Sequence, residues 1–190
     1  MKLFSSDWHL SHLNVLNWSK RPFDSIQQMN ETIIQNMINA TQGGDDFYFL
    51  GDLSWDQNVT KDFFARWPYN VNFHWILGNH EKKQWKQFES KCASISMLKE
   101  VNINKTKVVL CHYPMLTWNK SHYNSWMLYG HHHKNSHGYD KIDKLAVGKM
   151  LNVNVEFHHY NPWTEDELIK YMEKRPNNWD YIDKDNKDIL

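Results

Sequence analysis

Five short apolar runs in this chain are each followed by residues that can bind a metal ion. Fully apolar runs of this length are typical of buried strands, and ligands commonly gather where such strands end. Aspartate, asparagine and histidine together are the ligand set of transition metals such as Mn, Fe, Zn or Co. The pattern predicts one metal site assembled from several strand ends, at Asp7-Trp8-His9, Gly51-Asp52, Gly78-Asn79-His80-Glu81, His112 and Gly130-His131-His132-His133.

Length and composition limit the class of protein. A chain of 190 residues with 41% hydrophobic and 23% charged residues predicts a single globular domain, which we place at 1–175 with a polar tail at 176–190. The formal net charge is zero, so the whole chain has no electrostatic attraction for nucleic acid or an anionic membrane. We therefore expect a small-molecule substrate and no membrane association; the sequence does not indicate an oligomeric state.

The two cysteines and the N-terminus indicate a compartment. Cys92 and Cys111 cannot form a disulfide framework in a chain of this length, and we expect both to be reduced thiols. A candidate ligand already at Asp7 leaves no room for a cleavable signal. We expect a cytoplasmic protein.

The order of elements predicts an α/β fold. Strands and helices alternate in the first half of the chain, and strands dominate the second, which favours two packed sheets with helices outside. A 3.6-residue apolar period predicts the longest helix from Ile26 to Ile38, capped by Asp24 or Ser25. Further helices are predicted at 58–67, 81–90 and 165–173, and strands in the second half at 95–98, 100–103, 106–111, 126–129, 142–147 and 150–157.

The five blocks, taken in order, resemble the calcineurin-like metallophosphoesterase family. The family pattern is Asp-x-His, Gly-Asp, Gly-Asn-His-Asp/Glu, His and Gly-His-x-His, and the match covers residues 7–133. The segments 7–14, 21–23, 112–118 and 151–155 are similar to a compact bacterial and phage-type branch of that family, in which an acidic or small residue usually stands where this chain has Glu156. The resemblance implies a four-layer α/β/β/α sandwich of two mixed sheets flanked by helices.

The resemblance also implies a role for each residue of the blocks. Two divalent metal ions are expected, most readily Mn²⁺, with Fe, Zn, Ni or Co as alternatives. The first would be bound by Asp7, His9 and His133, the second by Asn79, His112 and His131, and Asp52 would bridge both. His80 would contact the phosphate and protonate the leaving group.

The activity implied is phosphoester hydrolysis by in-line attack of a metal-bridging hydroxide. Aromatic residues beside the blocks, and a chain too short for a large cap domain over the site, favour a small phosphodiester or nucleotide over a phosphomonoester. Phosphoprotein phosphatases carry an arginine shortly after the bridging aspartate, and Leu53-Ser54-Trp55-Asp56 contains none. A metal-dependent nuclease of the same superfamily and a catalytically silent metal-binding scaffold remain alternatives.

Candidates for substrate contact lie beside the blocks. His12 and Arg21 could reach the substrate phosphate, although a solvent-facing His12 and an Arg21 paired with a surface carboxylate are the preferred interpretations. Tryptophans next to the motifs could stack on a base or aryl group, with core packing as the preferred alternative; they are Trp8, Trp55 and Trp118. A cluster formed by Lys82, Lys83 and Lys86 could guide a polyanion but is better explained as a solvated helix face.

Overall fold

Two β-sheets form the centre of the computed structural model, which describes residues 1–81, 84–135 and 148–178. One sheet has the order β4-β3-β2-β1-β9, and the other has the order β5-β6-β7-β8. In chain order the strands are β1 Lys2–Ser5, β2 Asp46–Phe49, β3 Asn72–Ile76, β4 Ser94–Ser96, β5 Leu98–Ile103, β6 Thr106–Cys111, β7 Trp126–Tyr129, β8 Met150–Asn152 and β9 Trp163–Thr164.

Both sheets mix parallel and antiparallel pairs. Strands β1 to β4 are parallel to their neighbours, and β9 runs antiparallel to β1. Strands β6, β7 and β8 are parallel, while β5 pairs with β6 as a hairpin closed by a two-residue turn at Asn104-Lys105. Since all of the strands that precede the five blocks are parallel to one another within their sheets, each sheet carries its blocks at one edge.

The helices follow the predicted pattern closely at their starts. They are α1 Leu13–Trp18, α2 Ile26–Ala40, α3 Gln57–Arg66 and α4 Glu165–Met172, with 3-10 helices at Gln84–Lys91, Ser121–Tyr123 and Val155–Phe157. Ser25, rather than Asp24, caps α2, because its hydroxyl accepts a hydrogen bond from the backbone N–H of Gln28 at 3.1 Å. Thr164 and Glu167 form a reciprocal capping box at α4. In the described parts of the chain, no helix is sufficiently long and apolar to cross a membrane.

Three apolar clusters define the layers. The outer face of the five-stranded sheet packs on α2 and α3, where the predicted stripe of α2 is buried at Met29, Ile33, Ile34 and Met37. A second cluster fills the space between the two sheets and receives Leu168 and Met172 from α4. A third, built around Trp118 and Met127, covers the other face of the four-stranded sheet. The α/β class, with two mixed sheets flanked by helices, is confirmed.

Several predicted elements differ in the structure. The helix predicted at 81–90 is a 3-10 helix at Gln84–Lys91. The strand predicted at 150–157 ends at Asn152, because the Asn154 side chain accepts a hydrogen bond from the Glu156 backbone N–H and starts a 3-10 turn. The strand predicted at 142–147 lies outside the described residues, as do Lys82 and Lys83.

The domain boundary at 175 stays a prediction. Just beyond it, Asn178 is buried and its side-chain amide donates to the Leu116 carbonyl at 2.9 Å.

Candidate metal centre

The five blocks meet at one edge of the sheets through backbone hydrogen bonds between loops. The Asp7 N–H donates to the Gly51 carbonyl at 2.9 Å, and the His9 N–H donates to the Asp52 carbonyl at 3.0 Å. From the other sheet, the His131 N–H donates to the Asp7 carboxylate at 3.0 Å. Loops that are distant in sequence are therefore held together by the main chain before any metal is considered.

A first group of candidate ligands consists of Asp7, His9 and His133. All three are buried, and one ligand atom from each lies within 4.8 Å of the others. The His9 and His133 Nε2 atoms are 3.2 Å apart, and the His133 Nε2 lies 3.8 Å from Asp7 Oδ1.

A second group surrounds His112. Its Nε2 atom lies 2.9 Å from Asn79 Oδ1 and 3.3 Å from His131 Nδ1. The Asp7 and Asp52 carboxylates are within 4.8 Å of the same nitrogen and of each other. Asp7 thus lies close to both groups.

Asp52 lies between the two groups. Its Oδ2 atom is 3.5 Å from His9 Nε2 and 3.5 Å from His112 Nε2, while Oδ1 accepts a hydrogen bond from the His80 backbone N–H. Burial, followed by the charges of Asp7 and Glu81, raises the pKa of Asp52 to about 9. A cation between these groups would offset both the burial of the carboxylate and its repulsion by Asp7 and Glu81.

The histidine hydrogen bonds suit metal ligation. Nδ1 of His112 donates to the Leu50 carbonyl at 2.7 Å, so its Nε2 lone pair points at Asp52 and Asn79. Burial, with the neighbouring His133 and Arg21 charges, lowers the pKa of His9 well below its usual value. Burial, with neighbouring histidines, lowers the pKa of His131 to about 4. The His9 and His131 imidazoles are therefore neutral at pH 7, and lone pairs that face carboxylate and amide oxygens fit a divalent cation.

Four of the candidate ligands have a left-handed backbone. The φ angles are 57° at Asp7, 49° at His9, 63° at Asp52 and 70° at His131. Such angles cost roughly 1–3 kcal/mol per residue and cluster at functional sites in proteins. No feature of the sequence indicates this strain, because none of the four residues is glycine.

The motif glycines allow close approach of the loops as well as turning. Gly51 has a φ of 92°, and a Cβ there would lie 2.6 Å from the Gly78 nitrogen. At Gly78 and Gly130 a Cβ would instead collide with the carboxylates of Asp52 and Asp7, respectively. Gly51 therefore allows a left-handed turn, whereas Gly78 and Gly130 leave room for the carboxylates.

Glu81 joins the loop that follows Asp52 to the loop that contains Gly78 and Asn79. One of its oxygens accepts from the Leu53 N–H at 3.0 Å, and the other accepts from the Gly78 N–H at 2.6 Å. Burial raises the pKa of its carboxyl group. The last residue of the third block thus supports Asp52 and Asn79 without belonging to either ligand group.

Aromatic and imidazole rings form the rim. Trp55 is 42% exposed and stacks on His12 with ring centroids 4.2 Å apart and an interplanar angle of 11°. The His80 ring lies 4.5 Å from Trp55, and its Nε2 is 3.8 Å from Asp52 Oδ2. Trp18, which no motif of the sequence indicated, is also at the rim: it is 39% exposed and packs edge-on against His133, with ring centroids 4.5 Å apart. The only sequence signal for this role is that Trp18 ends α1, the helix that directly follows the first block.

Two of the candidate stacking tryptophans are not at the rim. Trp8 is fully buried among the rings of Phe47, Phe49 and Phe63, because its side chain points to the helix-covered face of the sheet. Trp118 is 6% exposed and packs on the outer face of the four-stranded sheet. The prediction that they contact substrate is wrong.

The prediction that Arg21 contacts substrate is also wrong. Its side chain is fully buried and binds Glu156 at 2.8 Å, so its partner is not a surface carboxylate either. Glu156, which the sequence analysis had not assigned to the site, also lies 2.7 Å from His133 Nδ1. Burial alone would raise the pKa of Glu156, but the His133 hydrogen bond and the Arg21 charge lower it to about 2.

Fold and site together define a class of protein: an α/β sandwich with two adjoining groups of aspartate, asparagine and histidine at the ends of its strands. The model of the calcineurin-like phosphoesterase family matches residues 3–187. The chain belongs to this family, whose members are phosphoester hydrolases that bind divalent metals.

Individual proteins resemble the chain over most of its length. An uncharacterized protein of Methanocaldococcus jannaschii is 32% identical over 171 residues, which is 89% of each chain. The crystal structure of a protein of unknown function from Aquifex aeolicus has a TM-score of 0.72 at 24% identity and covers 90% of this chain and 98% of its own. A phosphoesterase from E. coli, Yfce, has a TM-score of 0.40 at 18% identity, covering 80% of this chain and 77% of its own.

Proposed function

We propose that this protein is a dinuclear-metal phosphohydrolase that cleaves a small phosphodiester or nucleotide. The observation that supports two ions is the position of Asp52, whose Oδ2 lies 3.5 Å from the Nε2 atoms of both His9 and His112. A carboxylate equidistant from imidazole nitrogens of the two ligand groups is suited to bridge two cations.

We assign the ligands by group. Asp7, His9 and His133 would hold one ion, Asn79, His112 and His131 the other, and Asp52 both. Mn²⁺ is the first expectation, with Fe, Zn, Ni or Co as alternatives. Bound ions of this kind supply a hydroxide near neutral pH for in-line attack on phosphorus.

His80 is the residue that we assign to the substrate. Its backbone N–H holds Asp52, while its ring is 35% exposed and faces the opening of the site. Burial, with the nearby His12 and His112, lowers the pKa of this imidazole. Such a ring could donate a hydrogen bond to a phosphoryl oxygen or transfer a proton to the leaving oxygen.

The aromatic rim supports a substrate with a planar group. Trp55 is already stacked on His12, and Trp18 stands beside His133, so two partly exposed indoles lie next to the candidate ligands. A base or aryl group can stack on such surfaces irrespective of its sequence or substituents. A nucleotide or aryl phosphodiester therefore fits better than a compact inorganic or alkyl phosphate.

The test is metal reconstitution with a matched substrate pair. Protein stripped with EDTA should regain hydrolysis of bis(4-nitrophenyl) phosphate with Mn²⁺, and should turn over 4-nitrophenyl phosphate more slowly. Asp52→Asn should abolish this turnover. Asp62→Asn, the same chemical change at an exposed residue of α3, should not.

Other results would identify other functions. Activity that never exceeds the metal-only background across a broad phosphoester panel would contradict the proposal and favour the scaffold. Efficient cleavage of oligonucleotides with little turnover of small diesters would favour the nuclease.

A further inference from the structure

We propose that Arg21 and Glu156 are positioning residues that hold the ligands of one metal ion, the ion bound by Asp7, His9 and His133. This inference rests on the metal sites of the proposed function but not on the reaction. It concerns a buried ion pair that bridges two loops of the site without facing the substrate.

Arg21 holds the first block through two of its donors and Glu156 through a third. Its Nη2 donates to the Asp7 carbonyl at 2.7 Å, and its Nη1 donates to the Trp8 carbonyl at 2.7 Å. Its Nε donates to Glu156 at 2.8 Å. The two carbonyls belong to a loop with left-handed angles at Asp7 and His9, a conformation that needs external support.

Glu156 holds the last block. The oxygen that accepts from Arg21 also lies 2.7 Å from His133 Nδ1, and the other oxygen accepts from the Lys134 N–H at 2.9 Å. Because Nδ1 donates to this carboxylate, the His133 Nε2 lone pair is directed at His9 and Asp7. A carboxylate in this position also makes the imidazole a stronger metal ligand.

The free energy of burying the Arg21–Glu156 pair favours a role in positioning ligands over a role in stabilising the fold. Desolvation of a buried Arg–Glu pair commonly offsets its Coulomb attraction, so apolar residues of equal volume would stabilise the fold as well or better. Only a planar guanidinium can reach the three acceptors with this geometry, because lysine has a single nitrogen. The pair joins two loops that contribute His9 and His133, residues 124 positions apart in the chain.

Loss of the Arg21–Glu156 pair should weaken binding of only the ion held by Asp7, His9 and His133. The second group is held by different contacts: His112 by the Leu50 carbonyl, and the Gly78 loop by Glu81. Within the described part of the chain, Arg21 and Glu156 contact neither His112 nor the Gly78 loop.

The experiment is calorimetric titration of Mn²⁺ into metal-free full-length protein, with the ions per chain counted by elemental analysis. Arg21→Lys and Glu156→Gln should each raise the Kd of one ion about 10–100-fold and leave the other ion nearly unchanged. Arg66→Lys and Glu31→Gln provide the control, because the Arg66–Glu31 pair has a similar separation, 2.7 Å, but is partly exposed. Both controls should bind the two ions as the wild type does.

Turnover gives a second readout. The variants should need more Mn²⁺ for half-maximal activity while kcat at saturating Mn²⁺ recovers, a split that general destabilisation would not produce. Glu156→Gln keeps the shape of the side chain and one of its two acceptor oxygens. It therefore provides the measurement if Arg21→Lys does not fold.

Two outcomes would overturn the positioning role. One is wild-type affinity for both ions in the variants, and the other is equal weakening of both ions. A wild-type protein that binds no Mn²⁺ would instead refute the metal sites themselves, whereas two bound ions without turnover would refute only the proposed hydrolysis.

Discussion

Nε2 of His9 lies 3.2 Å from Nε2 of His133, and both rings are buried. Two imidazole nitrogens can face each other at this distance only by sharing a proton or a cation. The Asp7 and Asp52 carboxylates, at 3.8 and 3.5 Å from these nitrogens, favour the cation.

Metal loading should stabilise the fold strongly. A ligand at 100 times its Kd that binds only the native state adds about 2.7 kcal/mol to the free energy of unfolding. For a protein of this size, that corresponds to a rise in Tm of roughly 5–10 °C. Thermal denaturation with and without Mn²⁺ measures it. An equal rise in Asp52→Asn would show that the ion binds elsewhere.

The metal-free protein should lose stability as the pH rises from about 6.5 to 8. Asp52 has a pKa of about 9 in the folded protein, far above that of an exposed aspartate, so in this window the native state keeps a proton that the unfolded state has lost. Since the unfolded state binds fewer protons, the free energy of unfolding falls with pH.

Below that window the histidines act in the opposite direction. Folding lowers the pKa values of His9 and His131, so the unfolded state binds more protons and stability rises toward pH 6.5. Urea denaturation in EDTA across pH 5–8 should therefore give a maximum near the middle of the range. Asp52→Asn should flatten the upper limb and steepen the lower one, because Asp52 lowers the slope in both. An unchanged upper limb would assign that loss to another group.

His80→Ala should separate metal binding from turnover. The His80 ring is not among the assigned ligands, so both ions should still bind, while loss of a proton donor should reduce kcat about 10²–10⁴-fold. Calorimetry and bis(4-nitrophenyl) phosphate hydrolysis provide the two measurements. His122→Ala, in the 3-10 helix Ser121–Tyr123, is the matched control and should retain activity.

Trp55→Ala should impair substrates with planar groups selectively. Loss of one stacked ring costs about 1–3 kcal/mol, so kcat/KM for an aryl or nucleotide diester should fall roughly 5–150-fold. An alkyl diester should be affected little. Tyr69→Ala removes a ring that is 99% exposed outside the site and should change neither substrate. Equal losses for both diesters would mean that Trp55 supports His12 and His80 rather than binding substrate.

Gly78→Ala should prevent metal loading without unfolding the protein. The added methyl group would collide with the Asp52 carboxylate and displace the residue assigned to both ions. Gly44→Ala is the control: Gly44 has a φ of 90° and nothing within 4 Å of a Cβ, so only backbone strain of about 1 kcal/mol is added. Full Mn²⁺ binding by Gly78→Ala would contradict the close-approach role of this glycine.

Local sequence patterns were sufficient to predict the strands and the candidate ligands at their ends. Apolar runs ending in Asp, Asn or His predicted the strands and the convergent residues, and the helix predicted from residue 165 begins there, behind the Thr164 cap. The Gly-His-x-His block likewise indicated His131 and His133, which lie at the site. Such features depend on neighbours within a few residues, which the sequence displays directly.

The contacts of Arg21, Glu156 and Trp8 depend on residues far away along the chain. Arg21 and Glu156 are separated by 135 positions, and no local rule distinguishes a buried Arg–Glu pair from two surface charges. The same holds for Trp8 and Trp55: each adjoins a motif, yet one packs on the helix-covered face of the sheet and the other at the rim. The sequence by itself determined which side chains could bind metal and the strands that deliver them. Only the tertiary structure decided which charges pair in the interior and which rings face the opening, because burial is a property of the packed sheets.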